Sequence, residues 1–154
     1  MNVKNKCIIF IVLYIFILLI LPFVFQDKKV VISQIEKVIS PYIADEFIKQ
    51  DDKDIYKKYN LKEDVFKDYI SYVNASFMDV EEFTIFEVSD KKMQDNVIRN
   101  LNKYCEAKKK TFVGYGPKQV NLIDNRIIKK KGDFVFLIII DNNKQIWKKI
   151  DKLF

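Results

Sequence analysis

Nineteen consecutive residues, Cys7 to Phe25, read CIIFIVLYIFILLILPFVF and carry no charge. As an α-helix this run is about 28 Å long at 1.5 Å per residue, close to the ~30 Å hydrocarbon core of a bilayer. A helix in the core of a globular domain usually keeps a polar stripe, whereas this one is apolar all round. The sequence therefore predicts a membrane-spanning helix over residues 7–25. Lys4, Lys6 and the α-amino group precede it, and Asp27, Lys28 and Lys29 follow it. The positive excess on the N-terminal side places residues 1–6 in the cytoplasm and residues 26–154 outside it. Leu21-Pro22-Phe23-Val24-Phe25-Gln26 offers no small-residue cleavage pattern. Cys7 precedes the apolar run, where a lipoprotein cysteine would follow it. The expectation is an uncleaved, single-pass signal anchor in the cell membrane, with an unmodified Cys7 thiol and an extracytoplasmic C-terminal domain.

What remains is roughly 130 residues, the size of one domain with one core. Gly and Pro number three each, too few for a flexible linker, and no segment repeats at a fixed period. Histidine is absent, which removes the commonest general base and the commonest zinc ligand. Cys7 and Cys105 are the only cysteines. No cofactor, metal or catalytic constellation is expected.

Along the outer domain, Val31, Ile32, Ile35, Val38 and Ile39 recur at helical spacing. Ser40-Pro41 reads as a helix start, and Tyr42, Ile43, Phe47 and Ile48 extend the stripe, predicting two short helices or one kinked helix over residues 30–50. Asp51-Asp52-Lys53-Asp54 opens a helix that ends near Asn60. Its acidic residues complement the helix dipole and lack the spacing and glycine of a calcium loop. Lys62-Glu63-Asp64 opens another predicted helix, with Val65, Phe66, Tyr69 and Ile70 inward. Residues 71–77 and 83–88 are β-prone, and Ser89-Asp90 caps a long helix to about Lys109. Gly114-Tyr115-Gly116-Pro117 is a tight turn before a short helix. Residues 126–130 and 134–140 flank Lys131-Gly132-Asp133 as a hairpin, and a last helix carries Ile146, Trp147, Ile150, Leu153 and Phe154. The run Phe134 to Ile140 is apolar on both faces, which marks a central strand covered on both sides. The fold class is α+β: a small, mainly antiparallel sheet of about four strands with packed helices.

Met78-x-Val80-Glu81-Glu82 enters a strand, and an amphipathic helix follows. Then come Phe112-x-Gly114-Tyr115-Gly116-Pro117-x-Gln119, the strand Asn125-x-Ile127-Ile128, Lys131-Gly132, and an apolar strand ending at Asp141. This pattern resembles the clostridial domain-of-unknown-function family 4358. The resemblance implies a small extracytoplasmic domain behind a signal anchor or lipoprotein signal, and it carries no active-site residues.

Glu81 and Glu82 are adjacent on a strand and point to opposite faces, so they do not form an acid–base pair; a structural role is expected, one of them bonding nearby backbone. Cys105 falls on an apolar helix stripe, as a buried inert thiol does. The turn Tyr115, Gly116, Pro117, Gln119 lacks the lysine and hydroxyl of a phosphate-binding loop. Charge is lopsided: residues 26–107 hold 13 basic and 17 acidic side chains, and residues 108–154 hold 12 and 4. Lys108, Lys109, Lys110 and Lys129, Lys130, Lys131 form one anion patch if the helix end and the hairpin tip adjoin. The expected function is a non-enzymatic envelope module that holds a protein partner. The alternative is a receptor for an anionic envelope polymer or lipid through those lysines. Nucleic acid is not an expected partner, since no aromatic stacking platform is evident.

Overall fold

The computed structural model describes residues 12–19 and 29–154. Residues 12–19 are helical and exposed, and the rest of the expected anchor, residues 7–25, lies outside the described residues. Among the described residues no helix is long and apolar enough to cross a membrane.

Among the described residues five strands form one antiparallel sheet in the order β1-β2-β3-β5-β4. They are β1 (Phe47–Lys49), β2 (Phe66–Asn74), β3 (Glu82–Val88), β4 (Ile127–Lys131) and β5 (Phe134–Ile139). The helices of residues 29–154 are α1 (Ile32–Ile39), α2 (Asp52–Tyr59), α3 (Gln94–Phe112), α4 (Pro117–Asp124) and α5 (Asn143–Asp151). The sheet has one strand more than expected.

The central pair β3 and β5 is buried along nearly its whole length. Strand alternation sends Phe86, Val88, Val135, Leu137 and Ile139 to one face, where α2, α3 and α4 cover them with Ile55, Tyr59, Val97, Leu101 and Ile123. Phe83, Ile85, Phe134, Phe136 and Ile138 go to the other face, under Ile35 and Ile39 of α1 and Ile146 and Ile150 of α5. Intramolecular cover on both faces is thus complete, with α5 joining α1 on the second face.

Two segments differ from expectation. Residues 62–70, predicted as a helix, form a turn and enter β2 at Phe66. A β-bulge between Phe66 and Asp68 inserts an extra residue. Phe66 and Tyr69 then share a face three residues apart, a spacing that in sequence imitates one helical turn. Residues 40–50, in the span predicted as helical, instead form a 3-10 turn at Ser40–Tyr42 and the edge strand β1, which pairs Phe47 with Asn74 and Lys49 with Tyr72.

The terminators act as their chemistry requires. Asn60 ends α2 at φ 50° and Asn142 precedes α5 at φ 60°. Gly132 turns the β4–β5 hairpin at φ +57°. The Asp90 carboxylate accepts from the Lys92 N–H at 2.9 Å at the entry to a 3-10 turn that leads into α3.

Candidate functional site

The domain has two poles. At one, Gln94 at the start of α3 donates to the Gly132 carbonyl at 2.9 Å, and Lys29 and Val30 line a cavity of about 500 Å³ with Lys131, Asp133 and Phe154. The chain therefore arrives from its N-terminal segment at this pole. At the other pole β2 ends, β3 begins and α3 finishes.

There the two segments that carry the sequence pattern meet. Gln119 Nε2 donates to the Met78 carbonyl at 3.0 Å, and Lys108 Nζ donates to the Val80 carbonyl at 3.1 Å. Phe77 is 99 % exposed, Met78 62 %, Val113 63 % and Tyr115 61 %. The Tyr115 N–H bonds the Phe112 carbonyl, and the two rings lie 5.7 Å apart. Beside Val113 a groove of about 460 Å³ runs over Phe112, Gly114, Pro117 and Val120 to Asp124. A Cβ at Gly116 would stand 3.0 Å from Gln119 Oε1 and from the Phe112 ring, so any other residue there makes both neighbours give by a few tenths of an ångström. The motif turn Tyr115, Gly116, Pro117, Gln119 is thus tied to the β2–β3 loop through Gln119, and Phe77, Met78, Val113 and Tyr115 make up the exposed apolar residues, the cap, of this pole.

Beneath the cap lies a buried charge. Glu82 is fully buried. Its Oε1 accepts from the Tyr59 hydroxyl. Its Oε2 accepts from Tyr104 Oη at 2.7 Å and lies 3.1 Å from Lys108 Nζ and 3.3 Å from Lys58 Nζ. Thr84 Oγ1 bridges Tyr59 at 2.8 Å and Ser71 at 2.9 Å. Burial alone pushes the Glu82 carboxyl upward. The ammonium groups of Lys58 and Lys108 and the hydrogen bonds of Tyr59 and Tyr104 outweigh it and hold the carboxyl at about 2. Burial lowers Lys58 despite Glu82, and Lys108 repels it further. Burial and the Glu82 charge push both phenols far above the ordinary tyrosine range. Burial likewise raises the Cys105 thiol to about 12, an unreactive state. The cluster can hold a carboxylate dry and fixed, and it clamps β3 to α2 and α3. Among the described residues no buried side-chain nitrogen or oxygen lacks a partner, and no group of His, Cys, Asp or Glu could hold a metal.

Glu82 therefore has a larger role than a bond to nearby backbone; Glu81, half-buried, accepts from Asn74 Nδ2 at 3.4 Å. A readable signal existed. Lys108 falls on the α3 stripe that includes Leu101, Cys105 and Phe112, and Glu82 shares the inward parity of Thr84, Phe86 and Val88.

The two lysine triplets do not adjoin. Lys108 serves Glu82, Lys109 pairs with Asp124 at 2.6 Å, and Lys110 is exposed. Lys129 lies over Trp147, Lys130 pairs with Asp95 at 2.8 Å and Lys131 pairs with Asp151. Asp95 and Lys108 are thirteen residues apart on α3, about 20 Å along its axis.

Fold and site define a two-faced α+β domain with an antiparallel sheet and a buried Glu82 cluster under the motif turn. The chain belongs to the family described as Domain of unknown function (DUF4358), whose model matches residues 44–140. The match spans β1 through β5 with α2, α3 and α4, and leaves α1 and α5 outside it. No curated protein and no solved structure matches the chain.

Proposed function

We propose that the chain is a membrane-tethered, extracytoplasmic module that docks a protein partner on the cap formed by Phe77, Met78, Val113 and Tyr115. The exposure of these four side chains at one pole carries the proposal. Large apolar residues exposed at one pole mark interaction sites, and the aromatic side chains of Phe77 and Tyr115 beside a groove have the composition of an interface core. The occupant follows from where the chain enters the fold. Lys29 and Val30 lie at the opposite pole, so a helix formed by residues 7–25 tethers that pole and the cap points away from the bilayer. A protein surface, and not the membrane of the anchor, meets the cap. The buried Glu82 cluster supports it from below, because Lys108 fixes both Glu82 and the Val80 carbonyl.

The experiment is site-specific photo-crosslinking in intact membranes, with the crosslinker at Phe77, at Tyr115 and, as a control, at exposed Lys67. A single protein adduct common to both cap positions, absent at Lys67 and lost in Val113→Asp, is the expected result. Adducts only with lipid, only with a second copy, or equally at Lys67 overturn the proposal.

A further inference from the structure

The positive second half of the chain gathers on one flank. α5 buries Ile146 and Ile150 against the sheet and leaves Lys144 and Lys148 exposed on its outer side, with Lys152 one residue past its end. Spaced by four, these three follow one another at about 6 Å intervals along the helix axis. Lys129 stands beside them on β4, its ammonium 5.0 Å from the centre of the Trp147 ring. Lys149 lies over Tyr42 at 5.1 Å on the other side. Among the described residues none of these five lysines forms an ion pair, whereas Lys49, Lys91, Lys109, Lys130 and Lys131 do. Asp141 stands ahead of α5, and Asp151 at its end is engaged by Lys131.

The lysines form a row between the two poles. α5 starts where Asn143 Nδ2 bonds the Asn125 carbonyl at 2.6 Å, and the chain returns to place Phe154 against Gly132. A tethered domain turns a pole toward its own bilayer, so the flank runs away from the lipid surface. A row of ammonium groups at regular spacing complements a chain of regularly spaced anions, and each contact releases condensed counterions. The Trp147 and Tyr42 rings hold two of the five ammonium groups by cation–π contact, which reduces the freedom lost on binding.

We propose that the row Lys144, Lys148, Lys152, flanked by Lys129 and Lys149, binds a linear phosphodiester-linked polyanion. The row is separate from the cap. Apart from Lys129 it lies outside the residues matched by the family, so it belongs to the C-terminal helix of this chain.

The test uses the full chain in nanodiscs of neutral lipid and a synthetic glycerol-phosphate oligomer as probe, with orthophosphate and phosphatidylglycerol vesicles as comparison arms. The oligomer binds with an affinity that falls linearly with salt on a log–log scale, and orthophosphate at equal phosphate does not bind. The triple change K144Q/K148Q/K152Q weakens binding by about one to two orders of magnitude, near the worth of three lysines at an anionic surface. The same loss of charge at exposed Lys62, Lys67 and Lys103 changes it by less than about threefold, as scattered surface charge does. Equal weakening by both triples, no binding of the oligomer, or vesicle binding without oligomer binding overturns the proposal.

Discussion

Lys108 Nζ stands 3.1 Å from the Val80 carbonyl and 3.1 Å from Glu82 Oε2, so a single ammonium group closes the end of α3 onto the start of β3. Its side chain is 18 % exposed while Glu82 is wholly buried. Removing one partner of such a pair leaves an uncompensated charge away from water, at a cost of roughly 3–5 kcal/mol. Glu82→Gln leaves Lys58 and Lys108 facing each other without their anion and is expected to lower stability by about 3 kcal/mol. Lys58→Met, which keeps Lys108 on Glu82, costs less. Denaturant titrations of the full chain in mild detergent measure both; a Glu82→Gln loss under about 1 kcal/mol contradicts a clamp held by charge.

Acid dependence follows from the same carboxylate. Glu82 titrates at about 2 in the fold, against about 4.3 for an unperturbed glutamate. A depressed carboxylate stabilises the fold fully above its unfolded value, and that share is lost as pH falls through the folded value. About 3 kcal/mol is therefore lost between roughly pH 4.5 and pH 2. Stability measured at pH 7, 4 and 2.5 shows the loss in the wild type and a flatter acid limb in Glu82→Gln.

Much of this fold is written locally. Asn60, Pro117, Gly132 and Asn142 each end or start an element because backbone geometry asks for that residue type, and the unbroken apolar run of β5 announces a strand covered on both faces. The second half of β2 lies in the β-prone run 71–77, but its first half was hidden by the bulge, since Phe66 and Tyr69 share a face at a spacing that belongs to helices. β1 was hidden because its three residues owe their form to pairing with β2. The Glu82 cluster unites α2, β3 and α3, and no window of adjacent residues contains it. The motif turn was legible as a turn, but its contact with Met78 was not, because 41 residues separate Gln119 from that carbonyl.

Gly132 offers a backbone test. Its φ is +57°, and a Cβ there would meet the Phe154 ring at 3.0 Å. Gly132→Ala is expected to cost about 1–2 kcal/mol from the left-handed backbone alone, with more if the ring cannot withdraw. Thermal melts of Gly132→Ala in the wild-type and in the Phe154→Ala background separate the two costs, because the second removes the ring that the added carbon would meet.

Phe136 tests the second face. It is fully buried on the central strand, with Trp147 at 5.2 Å and Phe154 at 6.3 Å between ring centres. Phe136→Ala is expected to cost about 3–5 kcal/mol by loss of transfer energy and a residual cavity. Trp147 fluorescence should change with it, because α5 loses the ring it packs on.

The central claim is that the tether and the apolar cap occupy opposite poles, separated by the roughly 28 Å length of the nineteen-residue α3. Fluorophores placed singly at Lys91 and at Phe77, in full-length protein reconstituted into bilayers with headgroup-attached quenchers, measure this directly. Strong quenching at Lys91 with little at Phe77 is the predicted result. Equal or stronger quenching at Phe77 would mean that the cap rests on lipid, and the docking account would fail.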